Sequence, residues 1–265
     1  MPIAERLKGS PFVLADKKKV ETAPAKSEQK WTFAPLVASV SVFALAGALC
    51  WVSPSEVLSA AGLDSNNVPA RLYMRQVGAW QLVAACVLWT GHVNGVQAAS
   101  RAALLASALA VLACIPVNEY LDRPKNEAVA GVVTLAALGI LNGRLGGPRV
   151  AAGVLSFIGL LIHFTPIETA ELYQIQAEQR SPLLFVMISL MGATIFTSGL
   201  FVGALAMGLA HPRALAGSLL ANAVLTSNLA TRDAAYLGIG APKTAPLVWS
   251  VITTGLAASA LVLSR

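Results

Sequence analysis

The sequence predicts an all-α integral membrane protein of about eight transmembrane helices, arranged as two parallel four-helix repeats with short interfacial helices. Composition is the first of three observations behind this prediction. The 265 residues are 56% hydrophobic and 12% charged, with a mean hydropathy of +0.67. A soluble domain carries about 25% charged residues, so most of this surface is not expected to meet water. The other two observations are a series of apolar runs and an internal repeat.

Eight apolar runs are candidates for membrane spans, each of which needs about 20 mostly apolar residues. They cover residues 34–52, 77–93, 102–117, 127–142, 150–166, 183–208, 214–230 and 246–263. Turns and helix breakers separate them. Several runs are short, which suits buried helices of a thin or tilted bundle. The longer connections, 53–76 and 167–182, carry apolar residues at helical spacing, so we expect amphipathic helices at the membrane interface.

Short motifs recur in the same order in the two halves of the chain. Trp51 to Glu56 (WVSPSE) resembles His163 to Glu168 (HFTPIE). Four further matches are Gly78-Ala79 with Gly192-Ala193, Arg101-Ala102 with Arg213-Ala214, Pro124-Lys125 with Pro242-Lys243, and Arg144 with Arg265. An internal repeat predicts a duplicated structural unit. An even number of spans in each unit makes the repeats parallel, related by an axis along the membrane normal.

The repeat divides the chain into three segments, and charge orients them. We predict a polar N-terminal arm over 1–33, a first repeat over 34–149 and a second repeat over 150–265. The face with the N-terminus then holds 12 Lys and Arg against 4 acids, and the other face holds 7 against 9. The positive-inside rule places both termini in the cytosol, matrix or stroma. We expect an organellar inner or thylakoid membrane, where accessory subunits of this kind are frequent.

The order of elements within one half resembles a known type of small membrane protein. An apolar helix ends in Ser/Thr-Pro-x-Glu and is followed by an interfacial stretch, a helix with Gly-Ala, a basic turn and a helix ending in Arg. In the first half these features are Phe43 to Glu56, Gly78-Ala79, Arg101 and Arg144. They resemble the DoxX-like and related uncharacterised four-helix membrane families over about 34–144 and 150–265. The resemblance implies a compact four-helix bundle in each half and transfers no catalytic residue.

Histidines are the candidate cofactor ligands. His163 and His92 lie near the ends of predicted spans, where they are candidates to ligate haem, chlorophyll or another pigment. The alternative for each is an interfacial polar residue. His211 lies in a turn. Neither Glu-x-x-His nor His-x-x-x-His spacing occurs, so we expect no metal site and no required cofactor beyond lipids.

Polar residues within the predicted spans have two interpretations. Asn222 and Thr226 fall on one helix face, and with Gln81 they are candidates to line a polar cavity. The alternative is that they join helices through hydrogen bonds. Gly199 and Gly203 form a G-x-x-x-G motif, which predicts close helix packing. The five tryptophans lie at or near predicted span ends, as in an interfacial aromatic belt.

Two prolines are predicted to end spanning helices and to begin surface helices. Pro54 and Pro166 cannot continue a helix hydrogen-bond ladder, but each suits the first turn of a new helix. Ser53 would then be the N-cap residue, with Glu56 completing a capping box, and Thr165 with Glu168 would do the same in the second half.

No catalytic arrangement emerges from these residues, so we expect the protein not to be an enzyme. The basic residues form no patch with aromatics, and no nucleic-acid partner is expected. The first interpretation is a non-catalytic scaffold or accessory subunit of a larger membrane complex, with membrane lipids and other membrane subunits as partners and with lipids or pigments bound peripherally. The alternative is a transporter or channel for a small neutral or lipophilic molecule at the interface between the repeats. A membrane enzyme acting on lipid or quinone ranks third.

Overall fold

The computed structural model describes residues 26–114, 125–142, 147–172, 175, 177, 180–231 and 244–263. These residues form helices and turns but no strand, which confirms the all-α prediction. The helices are α1 (Lys26–Val52), α2 (Pro54–Ala60), α3 (Val68–Ala113), α4 (Lys125–Leu141), α5 (Gly147–Phe164), α6 (Pro166–Leu172), α7 (Pro182–Ala206), α8 (His211–Thr231) and α9 (Thr244–Val262). Several predicted features lie outside the described residues, namely the arm up to residue 25, Pro124, Arg144, Pro242-Lys243 and Arg265.

The apolar helices give the chain the pattern of a multi-pass membrane protein. Five described stretches are long and apolar enough to cross a membrane, namely Phe33–Val52, Ala70–Ala113, Gly147–Phe164, Pro182–Ala206 and Ala245–Val262. A shorter apolar helix covers Val129–Leu141. Helix α1 begins at Lys26, within the predicted polar arm, whereas its apolar span begins at Phe33. The run of apolar residues located the span but not the helix start, because a polar segment can continue a helix beyond the apolar region.

Helix α3 folds back on itself at Gly95. This residue has φ 81° and ψ 178°, a conformation that glycine adopts readily. In a straight helix, Ala79 and Ala110 would be about 46 Å apart at 1.5 Å per residue. Instead they border the same surface groove, together with Leu82 and Leu109. Helix α3 is therefore a hairpin of two arms, α3a (68–94) and α3b (96–113).

A glycine pair brings α1 and α3a into backbone contact. A methyl group on Gly47 would lie 2.8 Å from the carbonyl oxygen of Gly78, and one on Gly78 would lie 2.6 Å from the carbonyl oxygen of Gly47. Gly47 also faces Leu82, and Gly78 faces Trp51. Residue numbers therefore run in opposite directions along the contact, so α1 and α3a are antiparallel.

A second glycine pair joins α5 and α7 in the same way. A methyl group on Gly192 would lie 2.6 Å from the carbonyl oxygen of Gly159 and would also collide with the backbone of His163. Gly159 faces Phe196. Gly199 continues this contact, since a methyl group there would lie 2.6 Å from the Ser156 nitrogen. The two glycine crossings occupy corresponding places in the two halves of the sequence.

The two halves meet along α3a and α7, which run in the same direction. Val77 on α3a borders a cavity with Met187 on α7. Further along both helices, Gly91 faces Phe201 and Leu205. Residue numbers rise together along this contact, so α3a and α7 are parallel.

The remaining long helices pack in two pairs, α4 antiparallel to α3b, and α8 against α9. On α4 and α3b, Gly139 faces Leu105 and the Asn142 amide donates to the Ser100 hydroxyl. Helices α8 and α9 are joined by the Ser250 hydroxyl, which donates to the carbonyl of Ala223 at 2.9 Å.

The two described ends of the chain lie at the same end of the bundle. Leu36, near the start of α1, and Ala260, near the end of α9, border one small void with Phe201. Further along the same helices, the ring of Phe43 contacts that of Trp249. Helices α1 and α9 are therefore antiparallel.

The two prolines interrupt the chain where predicted, but the predicted capping box is wrong. Helices α2 and α6 begin at Pro54 and Pro166, directly after α1 and α5. Ser53 makes no side-chain cap hydrogen bond, and the Thr165 hydroxyl donates backwards to the carbonyl of Leu161 at 2.7 Å. The Leu161 carbonyl also accepts from the Thr165 backbone N–H at 2.9 Å. The Thr165 hydroxyl therefore bonds back to its own preceding turn, as Ser and Thr often do, instead of capping the next helix.

The Glu56 carboxylate has local partners that replace the predicted capping box. It accepts a hydrogen bond from the Ser55 hydroxyl at 2.9 Å. Its own backbone N–H, and secondly this hydroxyl, hold the pKa of Glu56 below its ordinary value of 4.5. These are local contacts of an exposed residue in α2.

Candidate functional site

A cavity of about 300 Å³ lies between the two halves of the bundle. Helices α1, α2 and α3a form its wall on one side, and α7, α8 and α9 form the other. Most of the lining is apolar, including Leu49, Val77, Met187, Leu190 and Leu229. None of the lining residues is charged. The lining suits a neutral apolar molecule, because an unpaired charge would be costly in such surroundings.

Most hydrogen-bond donors at the cavity are already used by the protein. The Thr226 hydroxyl donates to the carbonyl of Asn222 at 2.8 Å, and the Thr194 hydroxyl donates to the carbonyl of Leu190 at 3.0 Å. The indole N–H of Trp249 donates to Asn222 Oδ1 at 2.9 Å. These side chains therefore do not offer those hydrogens to a bound molecule.

Gln81 is the exception among the polar lining residues. Its Oε1 atom is buried and has no hydrogen-bond partner in the described structure. The side chain lines the cavity from α3a. A buried carbonyl oxygen without a partner costs free energy, of the order of 1–3 kcal/mol. A ligand that donated a hydrogen bond to this atom would remove that cost.

A fixed side-chain network supports the Trp249 wall of the cavity. The Asn222 amide accepts from Trp249 and donates to the Thr197 hydroxyl at 2.9 Å, which links α9 through α8 to α7. The fully buried Phe43 ring meets the Trp249 ring edge-on, with the centroids 5.4 Å apart. Trp249 is thus held from two directions, and the wall exists before any ligand binds.

The bundle is closed at its opposite end by two histidines. The rings of His92 and His211 pack edge-to-face with centroids 5.6 Å apart. His211 Nε2 lies 2.8 Å from the carbonyl oxygen of Gly91, which can only accept, so Nε2 donates. The void beside these rings is about 10 Å³, close to the lower limit for a single water molecule. No ligand of the size of the main cavity fits there.

His163 lies at the α5–α7 crossing, outside the cavity lining. It is fully buried, whereas we predicted a place near the membrane interface. Its Nδ1 donates to the carbonyl of Ser189 at 2.9 Å, and the Ser189 hydroxyl donates to the carbonyl of His163 at 3.0 Å. Its ring also packs edge-to-face on Phe164. These contacts give His163 a role in helix packing.

The candidate residues thus fall into separate places. Gln81 and Thr226 line the cavity. Asn222 does not line it but accepts a hydrogen bond from the lining residue Trp249. His92 and His163 lie elsewhere, and no group of three His, Cys, Asp or Glu among the described side chains could hold a metal ion.

Two cavity residues were not identified from the sequence. Thr194 gave no signal beyond being polar in an apolar run, and Trp249 was interpreted as part of the interfacial belt. Comparison of the chain with protein-family models, with curated proteins and with solved structures found no match. The cavity and its chemistry are therefore the features of the molecule that indicate a function.

Proposed function

We propose that the chain crosses the membrane eight times as two parallel four-helix repeats. The fold-back at Gly95 divides one of the five long apolar stretches into two passes, and α4 and α8 supply two more. The matching glycine crossings, Gly47 with Gly78 and Gly159 with Gly192, support a duplicated unit. The common direction of α3a and α7 supports parallel rather than inverted repeats.

We further propose that both termini face the cytosol, matrix or stroma. Arg101, Arg149 and Arg213 lie near the end of the bundle that carries the first turns of α1 and the last turn of α9. Single cysteines introduced at Ser27 and Ser264 test this in sealed vesicles with a membrane-impermeant maleimide. Labelling of both from one side is expected, and labelling from opposite sides would exclude an even number of spans.

The function we propose is the non-catalytic binding of one small neutral lipophilic molecule in the inter-half cavity, in a protein that acts as an accessory subunit of a membrane complex. The cavity is the observation that carries this proposal. It has a volume of about 300 Å³, roughly twice that of an engineered apolar cavity of about 150 Å³ that binds benzene. Ligand sites of proteins are mostly apolar concavities of about 300–1,000 Å³ with a few polar groups.

Probe binding to the purified protein in lipid nanodiscs tests this function. The probe is prodan, a neutral naphthalene dye whose emission shifts in apolar surroundings. Leu190→Trp places extra volume in the cavity, whereas Leu247→Trp adds the same group on the exposed side of α9, where Leu247 is 45% exposed. We expect saturable binding to the wild type and to Leu247→Trp, and at least tenfold weaker binding to Leu190→Trp. Equal binding to all three proteins would refute the proposal.

The accessory role is supported by the apolar outer surface of the bundle. Leu45 on α1, Phe157 on α5 and Val251 on α9 are all more than 60% exposed, so these helices present faces suited to lipid or to another membrane subunit. Mild extraction from the native membrane, followed by a native gel and mass spectrometry of co-migrating proteins, tests the role. Migration as an isolated chain would contradict it.

A carrier for the same molecule is the second candidate. It is favoured by the position of the cavity at the junction of two parallel halves and by the closure of the opposite end at His92 and His211. Binding at the junction of repeats is a recurring arrangement in secondary transporters. Prodan release from preloaded vesicles, with and without the protein, separates a carrier from a binding subunit, since only a carrier accelerates release.

A further inference from the structure

We propose that the molecule bound in the cavity carries a hydroxyl group, and that this hydroxyl donates a hydrogen bond to Oε1 of Gln81. This inference rests on the proposed binding function and specifies the chemical class of its ligand. The ligand would be a neutral lipophilic alcohol or phenol, mostly hydrocarbon, with one donor near the first-half wall.

The hydrogen bonds of the polar side chains at the cavity indicate which group a ligand must supply. The hydroxyls of Thr194 and Thr226 donate to their own helices, and the indole of Trp249 donates to Asn222. Gln81 Oε1 is the one lining side-chain oxygen in the described structure that is buried without a partner. An acceptor in this state is satisfied only by a donor, which hydrocarbon and ether groups lack.

Comparison of the two halves shows that Gln81 is not needed for the fold of the repeated unit. Gly78 corresponds to Gly192 at the two glycine crossings, so the position three residues later is Gln81 in the first half and Ile195 in the second. Ile195 is buried in the apolar core. The same helix position is therefore filled by an apolar side chain where no cavity ligand has to be recognised.

Size and charge restrict the ligand further. By comparison with the engineered cavity that holds benzene, a cavity of this volume accommodates roughly 10 to 20 non-hydrogen atoms. The uncharged lining excludes a carboxylate or ammonium group, since an unpaired charge in apolar surroundings is strongly unfavourable. A two-ring phenol has the required size and the required single donor.

Three matched probes test the inference, namely 2-naphthol, 2-methoxynaphthalene and naphthalene. The first donates a hydrogen bond, the second only accepts one, and the third does neither. Their affinities are measured for the wild type and for Gln81→Met in nanodiscs of the same lipid. Methionine has a similar length to glutamine and no amide. Because both proteins share the same lipid, partition of each probe into the bilayer cancels in the comparison.

For 2-naphthol we expect wild-type affinity about tenfold above that of Gln81→Met, as for the loss of one buried hydrogen bond. Naphthalene should bind Gln81→Met as well as or better than the wild type, which also shows that the variant is folded. If Gln81→Met changes the affinities for 2-naphthol and for naphthalene by the same factor, the inference is wrong while the binding function stands. If no probe binds either protein saturably, the binding function itself is refuted.

A measurement on the wild type alone covers the case in which Gln81→Met does not fold. After correction for bilayer partition, 2-naphthol should bind at least several-fold more tightly than 2-methoxynaphthalene, which has lost only the donor hydrogen. Equal affinities would overturn the role of Gln81, whatever the behaviour of the variant.

Discussion

Substitution of Gly159 by alanine should separate α5 from α7 and destabilise the second half of the bundle. The added methyl group would lie 2.7 Å from the Cα of Phe196 and 2.8 Å from the carbonyl oxygen of Gly192. Both contacts are with backbone, which cannot rotate away as a side chain can. The two helices must therefore move apart along a seam that also includes Gly199.

The expected size of the effect follows from two opposing contributions. Forcing an extra methyl group into a packed interior costs about 1–3 kcal/mol, and a backbone collision falls at the upper end. Alanine is favoured over glycine within a helix by about 1 kcal/mol. Gly159→Ala should therefore lower the free energy of unfolding by about 2 kcal/mol.

Gly153, six residues earlier on α5, provides the matched control. A methyl group there would meet nothing within 4 Å, so Gly153→Ala should be neutral or stabilising by up to about 1 kcal/mol. Reversible unfolding in mixed micelles of increasing dodecyl sulfate content gives both free energies. Equal effects of the two substitutions would refute the close α5–α7 contact and, with it, the glycine crossing as a repeated feature.

Three further predictions concern the network, the hairpin and α2. Asn222→Leu should lower the free energy of unfolding by about 1–2 kcal/mol, because Trp249 loses its acceptor; a change within error in the same unfolding assay would contradict the network. Gly95→Ala should lower the free energy of unfolding by about 1–3 kcal/mol, since φ 81° with ψ 178° is a backbone region open essentially only to glycine, and an unchanged stability would contradict the fold-back. Ser55→Ala should raise the pKa of Glu56 towards its ordinary value, measured by NMR titration of the carboxyl carbon. Because the folded-state pKa is lowered, the ionised Glu56 stabilises the folded state at pH values above the ordinary pKa, and this stabilisation is lost as the pH falls through the folded pKa. An unchanged pKa in Ser55→Ala would exclude the Ser55 contact.

Hydrophobic runs predicted the helices well because membrane spans are selected for apolar length. The first span, predicted over 34–52 and found over Phe33–Val52, and the interruptions at Pro54 and Pro166 were located from residue type alone. The glycine correspondence of Gly78 with Gly192 was also visible in the sequence, and the structure places both at backbone crossings. Helix boundaries were less accurate where polar residues extend a helix, as at Lys26.

The site was less predictable, because hydrogen-bond partners depend on which helices become neighbours. The sequence identified Gln81, Thr226 and Asn222 as one group of polar candidates. It could not show that the Asn222 amide is hydrogen-bonded to Trp249 and Thr197, whereas Gln81 Oε1 has no partner in the described structure. The burial of His163 likewise follows from a helix crossing between elements that are distant in sequence.

We propose that one small lipophilic molecule occupies the cavity between the two halves of the bundle. Native mass spectrometry of the protein isolated from its own membrane tests this most directly, applied to the wild type, Leu190→Trp and Leu247→Trp. We predict one small-molecule adduct per chain on the wild type and on Leu247→Trp, and its loss from Leu190→Trp, whose side chain fills the cavity. An adduct that is absent from the wild type, or equally abundant on all three proteins, would contradict the claim.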